Sequence, residues 1–328
     1  MWKLLIQQRF LITSCRNVHS QCSAQALNDR SIVKVSGPDA GPFLQGLMTN
    51  DIKHLEENKS IYCMFLNTQG RILYDTLVYS GSEPGNYLIE CDSACSKDLA
   101  SHLTRFRVRR KVAVTLEESL KTLVLFEPPP DQLTTDRDVI VARDPRTKSL
   151  GWRVITDLTH FERLKDHLQM TEKDLYTELK YKLGIGEGVS DLPPASCFPL
   201  ECNCDYLHGV SFHKGCYLGQ ELTARTYHTG VVRKRLMPVI FHQPLSTVVQ
   251  IPSDAKVTDS SGATVGKLRS LPQPGSVYGL GLLRIQQVLN ASSTLTVNDC
   301  PITTCRPDWW PIEAPKDRSR IDPSASLS

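Results

Sequence analysis

The most informative stretch of this chain lies in its second half, around one cysteine that has a lysine two residues before it and two leucines with helical spacing after it. It reads Phe212-His213-Lys214-Gly215-Cys216-Tyr217-Leu218-Gly219-Gln220-Glu221-Leu222-Thr223-Ala224-Arg225-Thr226. The spacing of Leu218 and Leu222 indicates a helix over residues 217–226, which would place Cys216 at its N-terminus. Unpaired N–H groups and the helix dipole favour an anion there, and the charge of Lys214 acts in the same direction. The stretch therefore predicts a thiolate, which is both a nucleophile and a soft metal ligand.

Cys216 also has a plainer interpretation, as one of the small buried side chains that most cysteines become. The chain has eleven cysteines; Cys202 and Cys204 precede the motif, and with His208, His213 and His228 they could suggest a metal site. The C-x-x-C or H-x-x-x-H spacing of a closed zinc site is missing here, so a permanent zinc site is disfavoured. A transient metal cluster that is shared with a partner protein requires fewer ligands from this chain. Cys216, alone or with one neighbour, would suffice if the partner supplied the remaining ligands.

Beyond the motif, the chain changes to short β-like runs separated by turns such as Asp259-Ser260-Ser261-Gly262. Regular short strands of this kind are typical of a small all-β domain, and we expect a C-terminal β-barrel over residues 236–305. The tail, 306–328, is rich in proline, serine and charge, which predicts disorder. Trp309 and Trp310 are the side chains that would dock it onto the body.

Before the motif, the spacing of apolar and turn residues indicates two α/β units. Residues 29–125 read as strand, helix, three strands, helix and strand, an order typical of a ferredoxin-like unit with one added strand. The last of these strands is expected over residues 108–114. Residues 126–235 read as a second α/β domain, which carries Cys216 and a helix over residues 172–183. The predicted fold class is therefore α+β.

Two groups of basic residues stand out. Arg105, Arg107 and Arg109 alternate along a predicted strand and would share one face, where they could cradle an anion such as a folate glutamate tail or an acidic partner. A solvated face is the alternative. The second group lies around the motif and is assigned to partner docking rather than nucleic acid, because no aromatic stacking pattern accompanies it. Its members are Arg225, Arg233, Lys234 and Arg235.

The start of the chain is basic and free of acidic residues: Lys3, Arg9 and Arg16 precede the first acid, Asp29. This pattern, with apolar and serine residues between, predicts a mitochondrial transit peptide over residues 1–28 and a mature protein in the mitochondrial matrix. The chain has 38 Lys+Arg and 35 Asp+Glu. Removal of these three basic residues leaves 35 of each, so the net charge of the mature protein is near zero, which argues against a nucleic-acid binder. No apolar run approaches the roughly 18 residues of a membrane span, so no membrane insertion is expected.

The motif Lys-Gly-Cys-Tyr-x-Gly-Gln-Glu at residues 214–221 resembles the signature of YgfZ-type proteins, which belong with glycine-cleavage T-proteins to the aminomethyltransferase-like family. Weaker blocks are similar to the same family and extend the resemblance over about residues 31–283. They are Gly37-Pro38-Asp39-Ala40, Phe43-Leu44-Gln45, Thr49-Asn50-Asp51, Asn67-x-x-Gly70-Arg71-Ile72, Arg107-x-Arg109-x-Lys111-Val112, Pro199-Leu200-Glu201-x-Asn203 and Gly209-x-Ser211-Phe212.

The resemblance implies a three-domain fold in which ferredoxin-like α/β domains surround a central cavity that binds tetrahydrofolate in relatives, with a small C-terminal β-barrel. With the transit peptide, it points to the branch that assembles iron–sulfur clusters late in the pathway, with A-type carrier proteins, for 4Fe–4S proteins. It implies a non-enzymatic factor, monomeric when alone, with Cys216 as thiolate ligand of a transient cluster shared with the carrier. The other motif residues would support that loop: Lys214, Gly215, Gly219, Gln220, Glu221 and Arg225.

A tetrahydrofolate-dependent aminomethyl transferase is the alternative function. Aminomethyltransferases hold the pterin with an acidic residue just before an Ala-Gly step, and the comparable stretch here, Lys182-Leu183-Gly184-Ile185-Gly186, has no carboxylate at that place. This removes a charge-assisted pair of hydrogen bonds and disfavours folate-dependent transfer, while looser tetrahydrofolate binding stays open. Asp98 has the Lys-Asp-Leu context of a catalytic aspartate, although a solvated acid on a helix is favoured. A third hypothesis, a purely structural binder, predicts that Cys216 is dispensable.

Overall fold

The computed structural model describes residues 22–136, 138–245, 251–252, 254–289 and 294–311, whose strands form two five-stranded sheets and one closed six-stranded barrel. The strands are β1 Ser23–Ala26, β2 Arg30–Ser36, β3 Ser60–Leu66, β4 Ile72–Ser80, β5 Asn86–Asp92, β6 Ala113–Leu116, β7 Leu120–Leu125, β8 Ile140–Arg143, β9 Trp152–Asp157, β10 Gln169–Met170, β11 Lys234–Phe241, β12 Lys256–Thr258, β13 Thr264–Ser270, β14 Tyr278–Arg284, β15 Leu295–Val297 and β16 Cys300–Thr303.

The helices connect and cover these sheets. They are α1 Ala40–Gln45, α2 Ser96–Arg107, α3 Asp131–Thr135, α4 Leu158–Lys165, α5 Leu175–Leu183, α6 Gly188–Asp191, α7 Gln220–Thr229 and α8 Ile285–Leu289, with short 3-10 turns at Ile52–Glu56, Ser93–Cys95 and Lys148–Leu150. Among the residues described, no helix has the length and apolar character needed to cross a membrane.

The first sheet has the strand order β3-β4-β5-β2-β6, and all its neighbouring pairs are antiparallel. β3 is buried along its whole length, as expected for a continuous apolar run. α2 packs onto this core through Leu99 and Leu103, which are four residues apart on one helix face and fully buried. The predicted element order is confirmed, but the strand predicted over residues 108–114 is wrong, because α2 continues through Arg107 and β6 starts at Ala113.

The second sheet has the order β10-β1-β7-β9-β8, and it corrects two predicted domain boundaries. β1, assigned to the transit peptide, pairs with β7 in antiparallel register, with Ala24 opposite Leu125. β7, assigned to the first domain, lies at the centre of this sheet. The boundaries at residues 28 and 125 are therefore wrong, since a four-residue strand without β-branched side chains gives little sequence signal. The rest of the predicted transit peptide, 1–21, lies outside the described residues.

The C-terminal strands close into the predicted barrel, in the order β11-β14-β13-β12-β15-β16. Trp310 is 5% exposed in the barrel core, and the indole of Trp309 donates a hydrogen bond to the Leu183 carbonyl (2.8 Å). The predicted disordered tail therefore starts too early, because residues 306–311 are held on the body by these two rings. The remainder, 312–328, lies outside the described residues.

Charged side chains are buried where the two open sheets meet. Glu90 on β5 lies 3.0 Å from Arg30 on β2 and 3.5 Å from Arg153 on β9, so it links both sheets. Glu187 lies 2.8 Å from Arg153 and 2.6 Å from Arg146. Burial alone would raise the pKa of Glu187, but these two guanidinium groups hold it well below its ordinary value. We call this set the buried ion network: Arg30, Glu90, Asp144, Arg146, Arg153 and Glu187.

Candidate functional site

Cys216 lies in an exposed loop just before α7. Of the ten cysteines in the described part of the chain, seven are buried, and Cys216 and Cys305 are the two exposed ones. A Cβ placed on the neighbouring Gly215 would meet no atom within 4 Å, so the space beside the thiol is open. The interpretation of Cys216 as a small buried residue is therefore wrong, and its sulfur can be reached by another molecule.

Cys216 does not lie at the helix N-terminus that the sequence predicted. α7 begins at Gln220, and Gly219 precedes it with a left-handed φ of 78°. A Cβ on Gly219 would lie 2.3 Å from the Asn67 carbonyl oxygen, so this position requires glycine. The tight approach of the Asn67 turn displaces the helix start from Tyr217, and the prediction that the helix end directly favours a Cys216 thiolate is not supported.

Lys214 anchors the Cys216 loop to the end of α1 and the segment that follows it. Its side chain is 8% exposed, and its ammonium donates hydrogen bonds to three main-chain carbonyl oxygens. These belong to Gln45 (2.8 Å), Met48 (2.6 Å) and Asn50 (2.7 Å). Desolvation lowers the pKa of Lys214 to about 8. The ammonium is thus directed at the segment after α1, and its role is to fix the loop.

Further hydrogen bonds hold the same loop to the same segment, residues 46–50. They run from Thr49 Oγ1 to the Gly209 carbonyl (2.6 Å), from Asn50 Nδ2 to the His208 carbonyl (2.8 Å), from Ser211 N to the Thr49 carbonyl (3.1 Å) and from Leu218 N to the Gly46 carbonyl (3.0 Å). With Lys214, they clamp the loop on both sides of Cys216. Sequence blocks that are individually weak therefore meet at one place, around the cysteine.

The other predicted motif residues have separate positions. The Gln220 side chain accepts a hydrogen bond from Tyr217 N (3.2 Å), which closes the turn after Cys216. Glu221 and Arg225 are exposed on α7 and face away from the core. Gly215 has neither a positive φ nor a close neighbour, so its backbone does not require glycine. Fixing of the loop therefore depends on Lys214, Gly219 and Gln220.

A cavity of about 390 Å³ lies beside α7. One face of α7 forms a wall, and the opposite walls come from residues 198–201 and 231–234. Thr223 lines the cavity; it is 3% exposed, and its hydroxyl has no hydrogen-bond partner among the described residues. Three of the lining residues, Leu222, Thr223 and Thr226, lie on α7, which follows the Cys216 loop directly in the chain.

Relatives of this chain match it over nearly its whole length. Human iron-sulfur cluster assembly factor IBA57, mitochondrial, is 38% identical over an alignment of 350 positions, which covers 94% of this chain and 93% of the human protein. The mouse protein of the same name is 38% identical over 309 residues, covering 88% and 85%. The chain belongs to the IBA57 family. Residues 233–312 match the family described as CAF17, C-terminal beta-barrel domain, and residues 7–128 match the GCVT N-terminal domain.

The fold of this IBA57-family chain is that of an aminomethyltransferase. Aminomethyltransferase T of the glycine cleavage system from Bartonella henselae superposes with a TM-score of 0.71 at 14% identity, covering 88% of this chain and 86% of that chain. At the place where the resemblance expects a pterin-binding acid, Lys182 is exposed and its ammonium lies 5.8 Å from the Tyr278 ring centroid. A cation here cannot replace a carboxylate as an acceptor.

The arginine cradle predicted in the first domain is not formed as expected. Arg105 and Arg107 lie in the last turn of α2, and Arg109 follows in a turn, so the three do not share one face of a strand. Arg107 donates a hydrogen bond to the Val112 carbonyl (3.2 Å), which closes the connection to β6. Asp98 is exposed in the first turn of α2, as expected for a solvated helix acid.

Sequence reasoning missed what Lys214 and Thr223 do in the IBA57-family site. A lysine near a cysteine suggests a cation that is free to act on the thiol. Nothing in the sequence shows that the Lys214 ammonium donates hydrogen bonds to three main-chain carbonyl groups instead. Thr223 occurs in the quoted motif, but the sequence does not show that its hydroxyl is buried without a partner. That follows from the folded structure, in which Thr223 lines a cavity together with residues 198–201.

Proposed function

We propose that this protein is a mitochondrial iron–sulfur cluster assembly factor that acts late, with A-type carrier proteins, in the maturation of 4Fe–4S proteins in the matrix. The names of its human and mouse relatives support cluster assembly and a mitochondrial location. The observation that carries the proposal is the exposed Cys216, held in a loop clamped on both sides.

Cys216 would serve as one thiolate ligand of a transient cluster, which is cargo and not a resident cofactor. Thiolates are the usual ligands of such clusters, and a partner that supplies the other ligands needs only one from this chain. The open space beside Gly215 lets a second protein approach the sulfur. The protein would act as a monomer that joins its carrier, without catalytic turnover of its own.

Aminomethyl transfer is the weaker candidate, although the transferase fold favours it. Lys182 stands where a pterin-binding acid would be expected, and the buried ion network occupies the region between the two open sheets. Tetrahydrofolate therefore has fewer recognition groups here than a transferase would offer. A titration with tetrahydrofolate, followed by intrinsic fluorescence and by an assay of one-carbon turnover, separates binding from catalysis.

The decisive experiment mixes the protein anaerobically with a cluster-loaded A-type carrier and follows visible absorption during size exclusion. The wild type is expected to elute as a coloured complex, and Cys216→Ser is expected to lose the colour while its thermal unfolding is unchanged. Cys305→Ser is the matched control, because Cys305 is the other exposed cysteine in the described chain. Equal behaviour of wild type and Cys216→Ser would refute the ligand role.

A further inference from the structure

The cavity beside α7 has the properties of a site for a protein anchor. Its volume of about 390 Å³ lies near the lower end of the range for ligand pockets, which suits one or two apolar side chains. Most of its wall is apolar, and the lining includes Phe198, Pro199, Leu222, Val231 and Val232. We call this cavity with its rim the α7 groove.

The rim of the α7 groove combines exposed apolar surface with positive charge. Val231, one of the lining residues, is 46% exposed. Arg233 and Lys234 are the cations among the lining residues, and Glu201 is the acidic one. An exposed apolar side chain beside cations favours an acidic partner with an apolar anchor.

Thr223 lines the groove, and its buried hydroxyl has no hydrogen-bond partner among the described residues. Burying such a group without a hydrogen bond is costly. The oxygen is shielded from solvent, so an entering main-chain group would bond it only after the Thr223 side chain turns towards the cavity.

The groove is also close to Cys216. Leu222 is six residues from Cys216 in the chain, a separation that cannot exceed about 21 Å even when fully extended. A folded protein that offers a cluster to Cys216 is therefore within reach of the α7 groove as well.

We propose that the α7 groove docks an acidic segment, with an apolar anchor side chain, of the same cluster-carrying protein that meets Cys216. The inference rests on the proposed function and adds the partner's binding surface. Docking in the groove holds the carrier while the Cys216 thiol provides a ligand. The groove therefore determines the affinity for the carrier, and Cys216 determines whether the cluster is bound.

The test measures the dissociation constant for the cluster-loaded A-type carrier by anaerobic titration calorimetry, at low and at high salt. Val231→Glu and Arg233→Glu, both at exposed positions, are expected to weaken binding at least about tenfold, through repulsion of an acidic segment. The matched control is Arg163→Glu on α4, also an exposed arginine, which is expected to change affinity less than about twofold. Binding of the wild type is expected to weaken with salt.

The outcomes separate this inference from the proposed function. If Val231→Glu and Arg233→Glu bind like the wild type while Cys216→Ser still loses the coloured complex, the groove is not the docking site but the cluster role stands. If the wild type binds no carrier, the proposed function itself fails. If the substitutions instead abolish self-association of the free protein, the occupant is a second copy of this chain, and the inference is overturned. Thermal unfolding of each variant checks that it is folded.

Discussion

At the scale of single residues, the two glycines near Cys216 differ in whether the backbone at their position requires glycine. Gly219 has a positive φ and lies against the Asn67 carbonyl, whereas Gly215 has open space around it. Gly219→Ala is expected to lower the free energy of unfolding by about 2–3 kcal/mol, because the new Cβ meets a backbone oxygen in a strained conformation. Gly215→Ala, the control, is expected to change it by less than about 0.5 kcal/mol. Urea unfolding followed by circular dichroism measures both, and equal losses would contradict this account.

The residue scale also shows where sequence reasoning reached its limit. The motif identified Cys216 and its supporting residues, since their types are chemically distinctive. It placed Cys216 at a helix end because Leu218 and Leu222 have helical spacing, but the helix start depends on a contact between Gly219 and the distant turn at Asn67. A local pattern contains no information about such a contact.

At the scale of elements, β1 is the strand whose role differs most from expectation. It lies between β7 and β10, with Ala24 fully buried. A chain that starts at residue 29 would lose β1 and expose the edge of β7. We expect its melting temperature to fall by roughly 5–10 °C, corresponding to about 2–3 kcal/mol, and its tendency to aggregate to rise.

The matched control is a chain that starts at residue 22, which keeps β1 and is expected to melt above the chain from residue 29 by that amount. Scanning calorimetry of the two shortened chains decides the matter. If the chain from residue 29 is as stable as the chain from residue 22, β1 contributes nothing to the fold.

Elements with strong periodic patterns were predicted well, and elements that depend on distant partners were not. The barrel strands and the first sheet have alternating or continuous apolar runs, which are visible in the sequence. β1 has the sequence Ser-Ala-Gln-Ala and exists only through its pairing with β7. The end of α2 was misplaced because the alternation of Arg105, Arg107 and Arg109 resembles a strand, while Leu99 and Leu103 anchor the helix.

At the scale of the whole molecule, the buried ion network joins the two open sheets and makes stability depend on pH. The pKa of Glu187 is well below its unfolded value of about 4.5. Between these two pKa values the unfolded chain binds more protons, so this contribution to stability is complete above the unfolded value and is lost as the pH falls. Guanidinium unfolding measured across the acidic range should show that loss.

Glu187→Gln is expected to destabilise the protein by about 3–5 kcal/mol at neutral pH, because Asp144 and Glu90 then leave one of the three buried guanidinium groups of the network uncompensated. It is also expected to remove part of the acid dependence. The exposed carboxyl of Glu162, changed to glutamine, is the control and should alter neither quantity. An unchanged acid dependence in Glu187→Gln would mean that other carboxyl groups cause it.

The clamp around Cys216 has a consequence for the kinetics of association. Fixing one residue of a flexible loop costs about 1–2 kcal/mol of conformational entropy, and here Lys214 and its neighbours have already ordered the loop during folding. An arriving partner therefore meets a preorganised thiol and has no loop-ordering cost to overcome. The encounter rate should therefore be limited by diffusion and charge steering and not by ordering of the Cys216 loop.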